Sequence, residues 1–182
     1  RLTACLVCAG AVCRQILDLF CVVFGAHALQ IGAEKDESFD PVHISAEELS
    51  ALNTRFFSVT KPEAEAAMRE EIEKARLDAD SIGGVIECAA VGVPVGVGSP
   101  MFGGIENVLA SILYGIPAVK GVEFGSGFGA AELRGSENND AFYFGEDGCV
   151  YTETNNAGGI LGGISTGMPI VFRVAVKPTP SI

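Results

Sequence analysis

The sequence predicts an α+β sandwich. Residues 2–24 and 60–79 show helical patterns, whereas residues 85–93 and 170–176 alternate with the period of a strand. These elements follow one another without the regular rhythm of parallel βαβ units, which favours α+β over α/β. With 182 residues, of which 48% are hydrophobic, the chain is long enough for one domain with its own core.

The first predicted helix is apolar on almost every side. Residues 2–24 are interrupted only by Arg14, Gln15 and Asp18. A transmembrane span would not normally carry three such residues near its middle. We therefore expect a helix that is buried between layers and ends near Gly25.

Four of the six cysteines fall on this helix, at Cys5, Cys8, Cys13 and Cys21. A Cys-x-x-Cys spacing also occurs in redox and zinc sites, but no second Cys or His pair stands at ligand spacing here. Free cysteine on an apolar helix behaves as a small hydrophobic residue. We therefore expect core packing, no metal site and a reducing compartment.

The segment from residue 34 to about residue 80 is polar. Capping boxes at 45–48 and 60–63 predict two helices, the second of which ends near Ala79 and carries charge pairs four residues apart, such as Glu65–Arg69. We interpret this segment as a solvated surface insert. His27, which precedes it, has no matching acid nearby and is interpreted as structural; His43 is interpreted as incidental.

The remaining elements are shorter. The pattern predicts a strand over 26–33, a helix over 102–114, a strand over 117–124, a short helix or turn over 126–134, a hairpin over 142–151 and a final strand over 170–176.

A glycine run precedes the final strand. Five glycines lie within ten residues, at Gly158, Gly159, Gly162, Gly163 and Gly167. Such density is costly in backbone entropy, and it is used where the chain turns through positive φ or where a ligand lies against the main chain. The final strand is then followed by a lysine and two hydroxyl residues over 177–181, which suit an anion. We interpret the stretch as a phosphate or cofactor cradle; a glycine hairpin packed tightly on a neighbour explains the run equally well. It matches neither a Walker loop nor a dinucleotide fingerprint.

Four motifs in order resemble the chorismate synthase family. They are Arg1-Leu-Thr-Ala, Gly115-Ile-Pro-Ala-Val-Lys-Gly, Arg134-Gly-Ser and the run Ala157–Gly167 with Lys177-Pro-Thr-Pro-Ser181. The resemblance runs from residue 1 to residue 182 and is weakest over 34–79. It implies a β-α-β sandwich, with antiparallel sheets around a helical layer.

The resemblance also implies an activity. The family is a lyase that converts 5-enolpyruvylshikimate 3-phosphate to chorismate and phosphate by a 1,4-anti elimination, the last common step of the shikimate pathway. It needs reduced FMN, with NADPH as the reductant in some members, and it is typically a cytoplasmic homotetramer. Its two catalytic histidines lie in motifs upstream of Arg1, so no catalytic residue is assigned in this chain.

Site residues follow from the motif matches. Arg1 is expected to bind a substrate anion. The cofactor contacts that the resemblance implies are Ala118, Gly162, Lys177, Pro178, Thr179, Pro180 and Ser181. Among these, Lys177 is the residue expected to place charge against the cofactor.

The net charge and the first motif limit the remaining interpretations of function. A net charge of −11 argues against a nucleic-acid partner, and no membrane segment is predicted. Because the Arg1 motif is already half over, we expect the central segment of a longer synthase, a single domain over 1–182 that is inactive alone. Two alternatives stay open: a flavin- or phosphate-binding module without elimination chemistry, and a structural core whose glycines pack an oligomer.

Overall fold

The computed structural model describes residues 2–180 of the chain. Its helices are α1 Leu2–Asp18, α2 Ala46–Leu52, α3 Pro62–Leu77, α4 Ile105–Tyr114 and α5 Gly135–Asn138, with 3-10 turns at Met101–Gly103 and Gly127–Glu132. Its strands are β1 Val23–Ile31, β2 Glu34–Lys35, β3 Gly84–Val91, β4 Val119–Phe124, β5 Phe142–Phe144, β6 Val150–Thr152, β7 Ile160–Leu161, β8 Ile164–Ser165 and β9 Ile170–Val176.

Five strands form one antiparallel sheet in the order β2-β1-β3-β9-β4. Two small hairpins, β5–β6 and β7–β8, accompany it. The predicted α+β class is confirmed, as are the bounds of the final strand and the hairpin over 142–151. Among residues 2–180, strand β4 lies at the edge of the sheet and pairs with β9 alone.

The polar segment 34–80 covers one face of the sheet. Its Leu49 and Met68 are fully buried and Val59 is nearly so. Leu49 packs so closely that a Cβ on Gly25 of β1 would lie 2.9 Å from its carbonyl oxygen. Together with residues of β3 and β9, the segment forms the main apolar cluster: Phe39, Ile44, Leu49, Leu52, Ala89 and Val171. The interpretation of this segment as a solvated surface insert is therefore wrong.

The two predicted capping boxes have different outcomes. The Ser45 hydroxyl accepts the Glu48 N–H at 3.0 Å, as expected at the start of α2. The hydroxyl of Thr60 instead donates to Asp36 Oδ1 at 2.7 Å, and Lys61 occupies the N-cap of α3 without a side-chain cap. Thr60 was a plausible cap by spacing, but a buried carboxylate is the stronger partner for its hydroxyl.

Helix α1 is exposed along its length. Each side chain that the structure describes on α1, from residue 3 to residue 18, faces solvent, including Leu6 and Val12. The expected burial of this helix is therefore wrong for this chain. Cys5, Cys8 and Cys13 are exposed on α1 and Cys21 follows it, so their expected core packing is wrong as well.

The second face of the sheet carries an open apolar groove of about 460 Å³. It lies between the end of α1, the strands and α4, and its walls include Leu17, Phe24, Ile105, Leu109 and Phe172. Helix α4 itself has no buried residue. Among residues 2–180, the helices are too short or too polar to cross a bilayer.

Candidate functional site

The ends of two neighbouring strands bring Lys177 and Ala118 together. The Lys177 N–H donates to the Ala118 carbonyl oxygen at 2.9 Å, directly beyond the Val176–Val119 pair. Ala118 has a φ of +72°, in the left-handed region. That conformation costs a residue with a Cβ about 1–2 kcal/mol, so the surrounding structure must hold it in place.

The chain leaves β9 along a stiff path. Proline fixes φ at Pro178, and its ring packs on Gly83, where a Cβ would lie 2.9 Å from the proline Cδ. Ser81 Oγ donates to the Thr179 carbonyl oxygen at 2.7 Å and anchors the next residue. Lys177, Pro178, Thr179 and Pro180 are all exposed. The backbone is therefore fixed while the Lys177 ammonium group stays accessible.

A second exposed lysine stands at the same end of the sheet. Lys120 lies on β4, within the register shift between Val119 and Gly121. In a chain with a net charge of −11, this end of the β4–β9 pair carries two exposed lysines, Lys120 and Lys177. It is therefore a favourable place for an anionic group.

Most of the glycine run is explained by close packing. A Cβ on Gly158 would lie 2.4 Å from the Gly125 nitrogen, and one on Gly159 would lie 2.5 Å from the Pro169 carbonyl oxygen. At Gly163 the nearest atom would be the Ser99 carbonyl oxygen, at 2.6 Å. These glycines also have positive φ. Backbone packs directly on backbone there and leaves no room for a ligand.

Gly162 differs from its neighbours. It sits at the turn between β7 and β8 with a φ of +59°, and a Cβ there would meet nothing within 4 Å. This hairpin precedes the start of β9, whereas Lys177 follows its end. Seven residues of strand at about 3.3 Å each separate the two positions by roughly 20 Å. Within this chain, the two halves of the predicted cradle lie at opposite ends of β9.

Two polar side chains that the sequence analysis did not single out shape the glycine run. The Asp140 carboxylate accepts the N–H groups of Asn156 and Ala157 at 2.7 and 2.8 Å. Asn155 Oδ1 accepts the Gly159 N–H at 2.7 Å. Residues 136–140, a stretch of amide and acid side chains before the glycine run, were the available signal. Sequence spacing does not show which backbone groups these side chains bind.

His27 also differs from expectation. Its Nδ1 lies 2.9 Å from Asp36 Oδ2, and its Nε2 lies 3.0 Å from Glu87 Oε2, with all three side chains buried. The interpretation that His27 has no acid nearby is wrong. Both acids are distant in sequence or hidden in the polar segment, so only the sheet brings them together.

Arg1 and Ser181 lie outside the described residues 2–180. Within that range no group of three or more His, Cys, Asp or Glu side chains is arranged to hold a metal ion. Burial on β3 raises the pKa of Cys88 to about 12.

Comparison with known proteins places these features in a family. The sequence profile of chorismate synthase matches residues 1–182. The chain belongs to the chorismate synthase family. It is 48% identical over 182 residues to the chorismate synthase of Thermococcus kodakarensis, a match that covers 100% of this chain and 49% of that protein. The chorismate synthase of Korarchaeum cryptofilum is 45% identical over 185 residues, with the same coverage of both chains.

A solved structure confirms the fold. A crystal structure of chorismate synthase superposes with a TM-score of 0.87 at 34% identity, covering 98% of this chain and 56% of that one. The chain thus spans about half the length of the curated relatives it matches.

Proposed function

We propose that this chain is the part of a chorismate synthase that supplies one wall of the reduced-FMN site. The observation that carries the proposal is the hydrogen bond from the Lys177 N–H to the Ala118 carbonyl oxygen. Two motifs that resemble the family's flavin contacts, and that are far apart in sequence, meet there in one place.

The residues present suit a flavin. The Lys177 ammonium group is exposed beside Lys120, and the backbone at Ala118 and Pro178 is held rigidly. When bound, reduced FMN supplies the electron density for the 1,4-anti elimination of phosphate from 5-enolpyruvylshikimate 3-phosphate. The protein residues contribute position and charge, the usual division of roles with a cofactor.

Each proposed cofactor contact has its own role. Lys177 would hold its positive charge against the additional negative charge that reduced flavin carries. Ala118 presents backbone at the start of β4, and Pro178 and Pro180 stiffen the segment that carries Thr179. Gly162 is the glycine of the 158–167 run that has open space beside its Cα, and we propose it as a second, separate backbone contact.

The rest of the activity belongs to a longer protein. We propose that a cytoplasmic, homotetrameric synthase contains this chain as one domain and brings the catalytic histidines and the arginines that bind the substrate phosphate. We further propose that its additional residues cover α1 and the apolar groove, since both surfaces present apolar side chains to solvent in this chain. The 182-residue chain alone is then inactive.

The test is Lys177→Met in the longer protein, with Lys120→Met as the matched control. Methionine keeps the aliphatic stem and removes the charge. Loss of a charge-assisted contact is expected to weaken binding of reduced FMN about tenfold to a hundredfold, and of oxidised FMN less. Fluorescence titration measures the oxidised form, and anaerobic absorbance titration measures the reduced form. Lys120→Met should change both affinities less than Lys177→Met does.

Two results would contradict the proposal. If Lys177→Met binds both redox forms as tightly as the parent, Lys177 is a solvated strand end. If the two lysine variants weaken binding equally, the effect comes from the general field of this end of the sheet and not from a specific contact.

A second function is favoured by a separate observation. The packing of Gly158, Gly159 and Gly163 against backbone is what a purely structural core requires. If the chain is only a structural core, flavin contacts neither the 182-residue chain nor the same residues within the longer protein. The flavin titration therefore separates it from the first.

A further inference from the structure

Four ionisable side chains form a row straight across the sheet. The register pairs His27 of β1 with Glu87 of β3, Glu87 with Arg173 of β9, and Arg173 with Glu123 of β4. Asp36, which follows β2, extends the row at its far end. We call these five residues the charge row.

Each neighbour in the charge row is bonded to the next. Beyond the two contacts of His27, Arg173 Nε donates to Glu87 Oε1 at 3.0 Å, and Arg173 Nη1 donates to Glu123 Oε1 at 3.1 Å. No buried side-chain nitrogen or oxygen in residues 2–180 lacks a hydrogen-bond partner. The row is thus a complete network, the condition under which buried polar groups specify a unique arrangement.

The two carboxylates that contact His27 both have lowered pKa values. Burial alone raises the pKa of Glu87, but hydrogen bonds from His27 and the Phe39 N–H outweigh it and hold that pKa below its ordinary value. The pKa of Asp36 is lowered in the same way, burial being outweighed by hydrogen bonds from Thr60. Ionised carboxylates only accept hydrogen bonds, so Asp36 accepts from the Thr60 hydroxyl, and Glu87 accepts from the Phe39 N–H and from Arg173.

The charge row ends at Glu123 on β4, the strand that follows the left-handed Ala118. Strand β4 is an edge strand; the left-handed Ala118 directly precedes it, and its first residues carry a register shift. A strained residue of this kind persists only where the surrounding structure holds it. Arg173 ties β4 to the buried centre by its bond to Glu123 and by a second bond from Nη1 to the Gly125 carbonyl oxygen, at 3.2 Å.

The geometry points to Arg173 and Glu123 as positioning residues for Lys177 and Ala118. Arg173 lies four residues before Lys177 on β9, and Glu123 lies five residues after Ala118 on the neighbouring strand. By fixing the register of β4 on β9, the pair fixes the hydrogen bond between the Lys177 N–H and the Ala118 carbonyl oxygen. This inference rests on the proposed function, because it assigns Lys177 to the flavin.

The test uses Glu123→Gln in the longer protein, since this partly exposed site tolerates an isosteric change better than buried Glu87 does. Hydrogen–deuterium exchange of the peptide that contains the Lys177 amide reports position without any flavin. We expect that amide to exchange about fivefold faster or more, and reduced FMN to bind about five- to tenfold more weakly. Glu65→Gln, which breaks the exposed Glu65–Arg69 pair on α3, is the matched control and should change neither value.

A double-mutant cycle with Lys177→Met shows whether the effect passes through Lys177. If it does, Glu123→Gln adds less than twofold to the loss of flavin affinity when Lys177 is already methionine. Arg173→Lys keeps the charge but loses the forked geometry, and it should accelerate exchange of the Lys177 amide as Glu123→Gln does.

The outcomes separate the two proposals. Unchanged exchange of the Lys177 amide in both Glu123→Gln and Arg173→Lys overturns the positioning role, whatever the flavin does. A full additional loss of affinity in the double variant overturns it too, because the effect would then bypass Lys177. If Lys177→Met leaves flavin binding unchanged while the amide exchanges faster in Glu123→Gln, the charge row still positions the strand ends and the flavin assignment is the part that fails.

Discussion

Helix α1 and the polar segment 34–80 exchange the roles that their compositions predict. The apolar helix lies in solvent, with Leu6 48% exposed, whereas Leu49 of the polar segment is fully buried. Mean composition describes how much apolar surface a segment has, but not whether a matching surface lies within reach. The polar segment needs only a few apolar side chains on one side of α2 and α3 to cover the sheet. Helix α1 needs a partner on almost every side.

The cysteines test this comparison with the largest expected effect. In the 182-residue chain, the exposed thiols of Cys5, Cys8 and Cys13 should react rapidly with a chromogenic disulfide reagent. Because burial raises the pKa of Cys88 from 9.0 to about 12, its thiolate is roughly a thousandfold scarcer and its reaction should be slower by about that factor. Stopped-flow absorbance resolves the two classes.

The same titration in the longer protein sharpens the comparison. The α1 thiols should become slow there, because we propose that additional residues cover the helix. Rapid reaction in both proteins would show that α1 remains exposed and would remove that part of the proposal.

Leu49→Ala against Leu6→Ala in the 182-residue chain measures the difference as stability. The fully buried Leu49 leaves a cavity when truncated, so the free energy of unfolding should fall by about 3–5 kcal/mol. Leu6→Ala on exposed α1 should stay within about 0.5 kcal/mol. Urea denaturation midpoints provide the measurement, and equal costs at the two sites would contradict the comparison.

Acid should weaken the attachment of the polar segment to the sheet. The pKa of Asp36 is lowered in the folded state, so its contribution to stability is present above the ordinary value of 3.8 and is lost as the pH falls through the lowered folded pKa. Asp36→Asn should cost about 1–3 kcal/mol at pH 7 and should flatten the acid side of the stability curve. Urea unfolding between pH 7 and pH 3 gives the free energy of unfolding of variant and parent. If the two values fall in parallel as the pH is lowered, Asp36 does not cause the loss of stability in acid.

The smallest effect is expected on the outer side of the same segment. Glu65 and Arg69 form an exposed pair four residues apart on α3, at 2.8 Å. Glu65→Gln should lower the free energy of unfolding by about 0.3–0.5 kcal/mol, and salt should reduce the difference. If Glu65→Gln lowered the free energy of unfolding as much as Asp36→Asn does, the exposed charges of this segment would stabilise the fold as strongly as its buried carboxylate.

Local signals located the elements of the fold well. The strand Ile170–Val176 matches its predicted bounds, since alternation of side chains is a property of a short stretch alone. The Ser45 cap was predictable for the same reason. The β1 strand began earlier than expected, at Val23, because an apolar run does not show where a helix gives way to a strand.

Part of the candidate site was also predictable. Ala118 and Lys177 were named from short motifs that resemble the family, and the structure brings them into contact. The supporting residues Gly83 and Ser81 were missed, as were Asp140 and Asn155. Each acts on a distant partner, and sequence spacing carries no information about partners on another strand.

The sequence by itself determined the final strand and the hairpin over 142–151, where α2 begins, that glycine is needed before β9 and which family the motifs resemble. Only the tertiary structure decided that His27 is held between Asp36 and Glu87 and that α1 lacks a partner in residues 2–180. It also placed the β7–β8 hairpin, with Gly162 at its turn, before the start of β9 and Lys177 beyond the end of that strand. The physical reason is that dihedral preferences and periodicity act within a few residues, whereas burial, charge pairing and strand register depend on segments that meet only after the chain has folded.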